Sequence, residues 1–386
     1  MNATIPRLVP RVLTEGPVLT ALRAEVRAFL AEQLAAGAFV PGVDTWLTRW
    51  DVGFTRALAA RGWLGMVVPR EYGGQGRSFL ERFVVTEELL VAGAPVAAHW
   101  IAERQIGPSL LRFGTEEQKQ AFLPRISAGE MFWGIGMSEP DSGSDLSSVR
   151  TRADRVDGGW RLTGTKVWTS GAHHADAFFA LARSAPLDPK HRHDGLSQFI
   201  VDLHDPRVQI RPIVSMSGDH HFNEVHLDGV VVPDDRVLGT VGDGWRQVTS
   251  ELGYERSGPE RYLSTYQLLA AAAGATGNGT LPVEAGLGRQ VARAAALHQM
   301  SFAVSAALER HDPGADTAAA VVKVLGTTYE GDVADHVDLL SDGAHAGDGD
   351  LPELLRWAVL QRPGFTLRGG TNEVLRGVVA RGLGMR

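Results

Sequence analysis

The sequence predicts an α+β protein in which a helical region, an all-β region and a second helical region follow one another. Three observations predict this order. Apolar residues recur every three or four positions up to about residue 130, and again from Gly244 onward. Between Met131 and Val241 they gather into short runs rich in aromatic and β-branched residues. Those runs are separated by Asp-Gly and other turn signals rather than by helices. Blocks of one type, without βαβ alternation, argue against a Rossmann sheet, so any dinucleotide must be held in another way.

The first region opens with Leu19, Leu22, Val26, Leu30 and Leu34, spaced as one apolar helical face. A second helix ends at Ala60-Arg61-Gly62-Trp63 and leads into the Gly/Pro-punctuated loop from Val68 to Gly74. Helical spacing resumes over Glu81–Ala94 and Ala102–Phe113. Thr115 then reads as a helix cap, with Gln118 in the capping-box position. In the middle region, strands are expected at Phe132–Met137, Trp160–Thr163, Lys166–Thr169, Ala177–Ala182, Gln198–Val201 and Glu224–Leu227. The C-terminal region reads as helices interrupted by loops at Gly274–Pro282 and Asp342–Asp350. The domains expected are therefore residues 1–130, 131–241 and 242–386.

Composition narrows the function classes. A chain of 386 residues with 44% hydrophobic and 22% charged residues is long enough for two or three packed units. The formal charge of −7 argues against a broad nucleic-acid-binding face, but not against a phosphate held by local amides or single arginines. No run approaches the ~20 apolar residues of a membrane span, and no signal-peptide pattern is seen, so a cytoplasmic protein is expected. With no cysteine, disulfides, thiolate nucleophiles and Cys-ligated zinc are excluded. The histidines show no HExxH spacing, and His173, His174, His191 and His193 read as surface residues rather than metal ligands, so no metal site is assigned.

Three segments carry candidate chemistry. Met137-Ser138-Glu139-Pro140-Asp141-Ser142-Gly143-Ser144-Asp145 is a small-residue loop after a buried strand. It offers backbone N–H groups and hydroxyls to a phosphate or a heteroaromatic ring, although the composition also suits a plain polar turn. In Lys166-Val167-Trp168-Thr169-Ser170-Gly171, a strand would place Trp168 and Ser170 on one face, as a ring to stack on and a hydroxyl donor. A core tryptophan on a hairpin fits equally well. Gly369-Gly370-Thr371-Asn372-Glu373 precedes an amphipathic helix, with Thr371 as the cap and free first-turn amides open to an anion.

Taken together and in order, MSEPDSGSD, KVWTSG and GGTNE resemble the acyl-CoA dehydrogenase family. So do the GWLGMVVPREYGG segment (Gly62–Gly74) and the FGTEEQKQAFLP segment (Phe113–Pro124). The resemblance implies an N-terminal helical domain, a middle β-barrel or sandwich, and a C-terminal four-helix bundle, with FAD between the last two. It implies flavin contacts from Ile135, Met137, Ser138, Gly143, Ser144, Trp168, Ser170, Gly370, Thr371 and Glu373. Ser144, Tyr254, Arg256 and Gly369 would face the acyl-CoA. The reaction implied is α,β-desaturation: a carboxylate takes the α-proton while the β-hydrogen leaves as hydride, with an electron-transfer flavoprotein as acceptor.

Two departures stand out. Where many members carry a glutamate base before Gly-Thr, this chain has Gly369. Other members hold the base on a C-terminal-domain helix in a Leu-x-x-Glu-Arg context, which Leu252–Arg256 matches, making Glu255 the candidate catalytic base. Pro259, four residues on, would disturb a helix at the carbonyl of residue 255. A solvated Glu255–Arg256 pair ahead of a helix starting at Pro259 is the competing reading, with Glu251 and Glu260 nearby. The second departure is that Leu287–Ala292 and Leu339–Ala344 lack the family segments that complete a neighbour's FAD site. A homo-oligomer and a hetero-oligomer with a second dehydrogenase subunit both remain open. Flavin monooxygenases and oxidases on the same fold, and a non-catalytic partner subunit, are the competing functions.

Overall fold

The computed structural model describes residues 13–342 and 350–385, apart from the side chains of residues 251–255. Its N-terminal elements are α1 (Pro17–Ala35), α2 (Thr45–Thr48), α3 (Val52–Ala60), α4 (Phe79–Val91), α5 (Ala97–Ile101), α6 (Gly107–Phe113) and α7 (Glu116–Ser127). The apolar stripe of α1 buries Leu22, Val26 and Leu30 as its spacing demands, with Phe29 beside them. Thr115 caps α7: its hydroxyl accepts from the Gln118 amide at 3.3 Å, and Gln118 Oε1 accepts the Thr115 amide at 3.2 Å. The stretch expected as one helix from Ala102 begins instead as a π-helical turn, Ala102–Ile106.

The middle of the chain forms one seven-stranded sheet. Its strands are β1 (Trp133–Gly136), β2 (Arg152–Val156), β3 (Gly159–Lys166), β4 (Ala177–Arg183), β5 (Leu196–Asp202), β6 (Val208–Val214) and β7 (His220–Pro233). Their order is β1-β4-β2-β3-β7-β6, with β5 also pairing β4. Strand β4 reads as an unbroken apolar run because both of its faces are buried. Phe178, Ala180 and Ala182 join the cluster of Leu162, Phe199, Val225 and Leu227, whereas Ala177 and Phe179 face Ile106, Leu110, Phe122 and Ile126 from the helices. Register shifts at Leu162/Thr163 and Ile213/Val214 curl the sheet. Strands β2 and β6 escape sequence reading because both are largely exposed, β2 carrying Arg152, Asp154 and Arg155 and β6 carrying Pro212 in its interior.

Helices return with α8 (Gly244–Arg256), α9 (Tyr266–Gly277), α10 (Ala285–Glu309), α11 (Ala315–Leu340), α12 (Asp350–Phe365) and α13 (Asn372–Gly382). The loop expected from Gly274 starts later, since α9 runs to Gly277. The loop expected over 342–350 lies mostly outside the described residues. Pro259 opens a short 3₁₀ turn, Pro259–Arg261, so α8 ends ahead of the proline rather than being kinked by it.

Contacts divide the chain into two compact units. A β-containing unit comprises Trp50–Arg77 and Val96–Leu252; a helical unit comprises Met1–Arg49, Ser78–Pro95 and Gly253–Arg386. In the helical unit α1 packs on α4, α10 lies against α4 and α11, and α11 also packs on α12 and α13. Close approach there depends on Gly326, because a Cβ at that position would stand 2.3 Å from the Arg261 carbonyl oxygen.

Candidate functional site

In the β-containing unit the loop after β1 is a tight turn: the Glu139 amide donates to the Ser142 carbonyl at 2.7 Å, and the Ser142 amide returns the bond at 3.0 Å. The turn is held from inside. The buried Glu139 carboxylate accepts from the Arg150 amide (2.6 Å), the Thr151 amide (2.9 Å) and Lys166 Nζ (2.7 Å). Lys166 Nζ also donates to the Met137 carbonyl at 3.2 Å, and the Val167 amide donates to the Ser138 carbonyl at 2.9 Å. Burial alone would push the Glu139 carboxyl up, but Lys166 and the two amides outweigh it and hold the group below the usual carboxylate range. Burial brings Lys166 down to about 8. Sequence reasoning passed over both residues; the signal available was an acid in one motif and a base in the next.

This arrangement brings Met137 and Ser138 beside the Lys166–Ser170 segment. Ile135 lies on β1 opposite Phe179 of β4, and Gly143 and Ser144 are exposed at the outer end of the turn. Nothing stands within 4 Å of where a Gly143 Cβ would be.

Trp168 and Ser170 are not on a strand, contrary to the sequence-based expectation. Strand β3 stops at Lys166, and Trp168 has a left-handed φ of 62°. The buried Asn223 side chain holds the chain there: its Nδ2 donates to the Thr169 carbonyl at 3.0 Å while its Oδ1 engages His220 Nε2 at 2.8 Å. The Thr169 amide donates to the Asn223 carbonyl at 3.0 Å, and the Gly171 amide to that of His221 at 2.8 Å. The indole is 57% exposed and meets Phe222 only edge-on, with centroids 5.5 Å apart, so it is no core tryptophan. A non-glycine residue in left-handed backbone costs on the order of 1 kcal/mol, and here burial does not repay it. An exposed flat ring held in this way, beside half-buried Ser138 and Ser170, suits a planar ligand.

The histidines separate into different neighbourhoods. His173 lies between His174 (3.9 Å) and His220 (4.0 Å), with Trp50 beyond His174. Burial and the adjoining imidazoles bring His173 down to about 4, so it is neutral at physiological pH. His191 pairs with Asp188 at 2.9 Å, and His193 stacks on Trp245 at 3.9 Å.

In the helical unit, Gly369 (φ 68°) and Gly370 (φ 85°) form a left-handed turn ahead of α13. Thr371 caps the helix, accepting from the Val374 amide at 3.3 Å. The Asn372 amide donates to the Thr366 carbonyl at 3.1 Å, and the Leu375 amide to that of Thr371 at 3.0 Å. The exposed Glu373 carboxylate is held below its ordinary range by its own backbone amide and by Thr371. The free amides expected at this helix start are thus largely engaged within the turn. The structure does bring Arg256 to this turn: its Nη2 lies 3.8 Å from where a Gly370 Cβ would be. Glu255 and Tyr254 fall in the last turn of α8, and their side chains lie outside the described residues.

The chain's sequence matches the acyl-CoA dehydrogenase N-terminal domain model over residues 17–130 and the acyl-CoA dehydrogenase middle domain model over residues 134–230. It is 35% identical to the acyl-CoA dehydrogenase IpdE1 of Mycobacterium tuberculosis (strain ATCC 25618 / H37Rv), over 93% of this chain and 95% of that protein. It is 38% identical to acyl-CoA dehydrogenase FadE34 of the same organism over 85% of this chain, but it spans only 45% of that longer relative. Among solved structures it resembles the Tcur3481-Tcur3483 steroid ACAD, with a TM-score of 0.84 and 31% identity over 97% of this chain and 99% of that one. Among the described residues no helix is long and apolar enough to cross a membrane. With its two helical blocks, its curled central sheet and a near full-length relative at this identity, the chain belongs to the acyl-CoA dehydrogenase family.

Proposed function

We propose that this chain is a cytoplasmic, FAD-dependent acyl-CoA dehydrogenase subunit that desaturates an acyl thioester between its α and β carbons. The observation that carries the reading is the exposed Trp168 indole, held in left-handed backbone beside Ser138 and Ser170 in a chain with a near full-length acyl-CoA dehydrogenase relative. FAD, when bound, supplies the acceptor for the β-hydride. Ile135, Met137, Ser138, Gly143, Ser144, Trp168, Ser170, Gly370, Thr371 and Glu373 are the residues proposed to hold it. Glu255 takes the α-proton, since Gly369 has no group to accept one. Arg256, Tyr254, Ser144 and Gly369 orient the thioester, whose weakly acidic α-carbon needs a polarised carbonyl in a water-poor site. The three-domain division at residues 130 and 241 and electron transfer to an electron-transfer flavoprotein belong to the same proposal.

The test is anaerobic bleaching of the flavin by a panel of acyl-CoAs, comparing the natural chain with Glu255→Gln. Bleaching by the natural chain and its loss in the variant support the reading. Bleaching that survives the substitution moves the base elsewhere. Rapid reoxidation of the reduced flavin by air points instead to an oxygen-using enzyme.

A second reading concerns assembly. Leu287–Ala292 and Leu339–Ala344 lack the segments with which family subunits complete a neighbour's flavin site. The structurally similar steroid ACAD carries a paired designation, Tcur3481-Tcur3483. This favours a mixed assembly in which a second dehydrogenase subunit supplies the missing half. Stoichiometric FAD in a homo-oligomer of this chain alone overturns it.

A further inference from the structure

Helix α11 is mostly alanine and valine where it is buried, yet it buries Lys323, Thr327 and Glu330 at i, i+4 and i+7 on one face. Burying such groups costs several kcal/mol unless each finds good partners, so where their bonds go identifies what they hold. Lys323 Nζ donates to the Thr366 carbonyl at 3.0 Å and to Asn372 Oδ1 at 2.9 Å. Thr327 Oγ1 donates to the same Asn372 oxygen at 3.1 Å, and Asn372 Nδ2 reaches Thr328 Oγ1 at 3.3 Å. The Asn372 amide closes on the Thr366 carbonyl at 3.1 Å. Both ends of the 366–372 segment are therefore tied to each other and to α11, and the left-handed pair Gly369–Gly370 lies between them.

A second tie holds the middle of the segment. Arg368 Nη1 contacts both oxygens of the buried Asp44 carboxylate at 2.7 and 2.8 Å, and its guanidinium stacks over Trp46 at 4.7 Å. Trp46 Nε1 donates to Ser264 Oγ at 3.1 Å, and the Ser264 amide donates to Glu330 Oε1 at 2.9 Å. Glu330 thus returns the network to α11 one turn beyond Thr327.

We infer that Lys323 and Asn372 are positioning residues: by tying the 366–372 segment to α11 they fix the Gly369–Gly370 turn, and so set affinity for the flavin and thioester. This rests on the reading that the turn contacts those ligands. Neither residue touches the reacting atoms. Their effect is to pre-order a glycine-rich turn that would otherwise lose much backbone freedom on binding.

The test uses the full-length chain with Lys323→Met and, as a milder variant, Asn372→Ala. It measures amide hydrogen exchange over residues 367–371 without added FAD, FAD affinity by titration, and thermal midpoint. The expected result is faster exchange in that segment and FAD affinity weakened by about tenfold to a hundredfold in folded variants. Conservative Lys323→Arg restores part of both. Folded variants with a lower thermal midpoint but unchanged exchange and FAD affinity would show a merely structural role and overturn the inference. If exchange quickens but the natural chain takes up no FAD either alone or mixed with a second dehydrogenase subunit, the positioning of the turn stands and the proposed function falls.

Discussion

The Lys166 ammonium, fully shielded from solvent, donates to the Glu139 carboxylate at 2.7 Å and joins the end of β3 to the loop after β1, 27 residues apart in sequence. The pair also serves the backbone: Glu139 receives the amides of Arg150 and Thr151, and Lys166 donates to the Met137 carbonyl. A buried ion pair seldom adds much net stability, but removing one partner strands the other.

Lys166→Met should therefore destabilise the protein by about 3–5 kcal/mol, because Glu139 is left as a buried carboxylate without its counter-ion. Adding Glu139→Gln in the same chain should recover part of the loss. Urea unfolding of the two variants measures both effects; a single variant within 1 kcal/mol of the natural chain would remove the pair from its place at the centre of this loop.

Glu330 sets a pH dependence. Burial raises its carboxyl from an ordinary value of 4.5 to about 7, against the opposing pull of Arg368 and the Ser264 bond, with Asp44 adding to the rise. A carboxyl raised on folding favours the protonated folded form. Its contribution is fully present below pH 4.5, declines as pH rises through 7, and is gone above that. Glu330→Gln keeps the neutral shape at every pH. The variant should gain on the natural chain between about pH 4.5 and 7, by at most about 3 kcal/mol, and the difference should be flat above. Thermal midpoints across pH 4–9 read the sign directly; a variant that loses ground as pH rises contradicts it.

Gly326→Ala tests the packing of α11. The added methyl carbon would stand 2.3 Å from the Arg261 carbonyl, a backbone atom with no rotamer to change. Helix propensity favours alanine by about 1 kcal/mol, so a net loss of about 2 kcal/mol or more requires the clash to win. A variant with an unchanged or raised thermal midpoint would mean that the Arg261 turn shifts at little cost.

Much of the fold was legible in the sequence because it rests on short-range periodicity. A 3.6-residue apolar repeat buries one helix face, as Leu22, Val26 and Leu30 do, and Thr115 with Gln118 closes a cap within three residues. Strands β2 and β6 were missed because they bury little: β2 has charged residues at three of its five positions, and Pro212 inside β6 argues against a strand. The strand expected through Trp168 failed for a related reason. Its residue types favour extended backbone, but hydrogen bonds from Asn223, more than fifty positions away, hold that segment in another conformation.

By itself the sequence determined the order of helical and β regions, the loops that carry the candidate chemistry, and the glycine at 369 that moves the proposed base to Glu255. The tertiary structure decided which buried charges support those loops: Glu139 with Lys166, Asn372 with Lys323, and Arg368 with Asp44. The division is physical. Periodicity and capping are satisfied by neighbours within a turn or a strand, whereas a buried polar side chain takes its partner from whichever distant segment packing brings within about 3 Å.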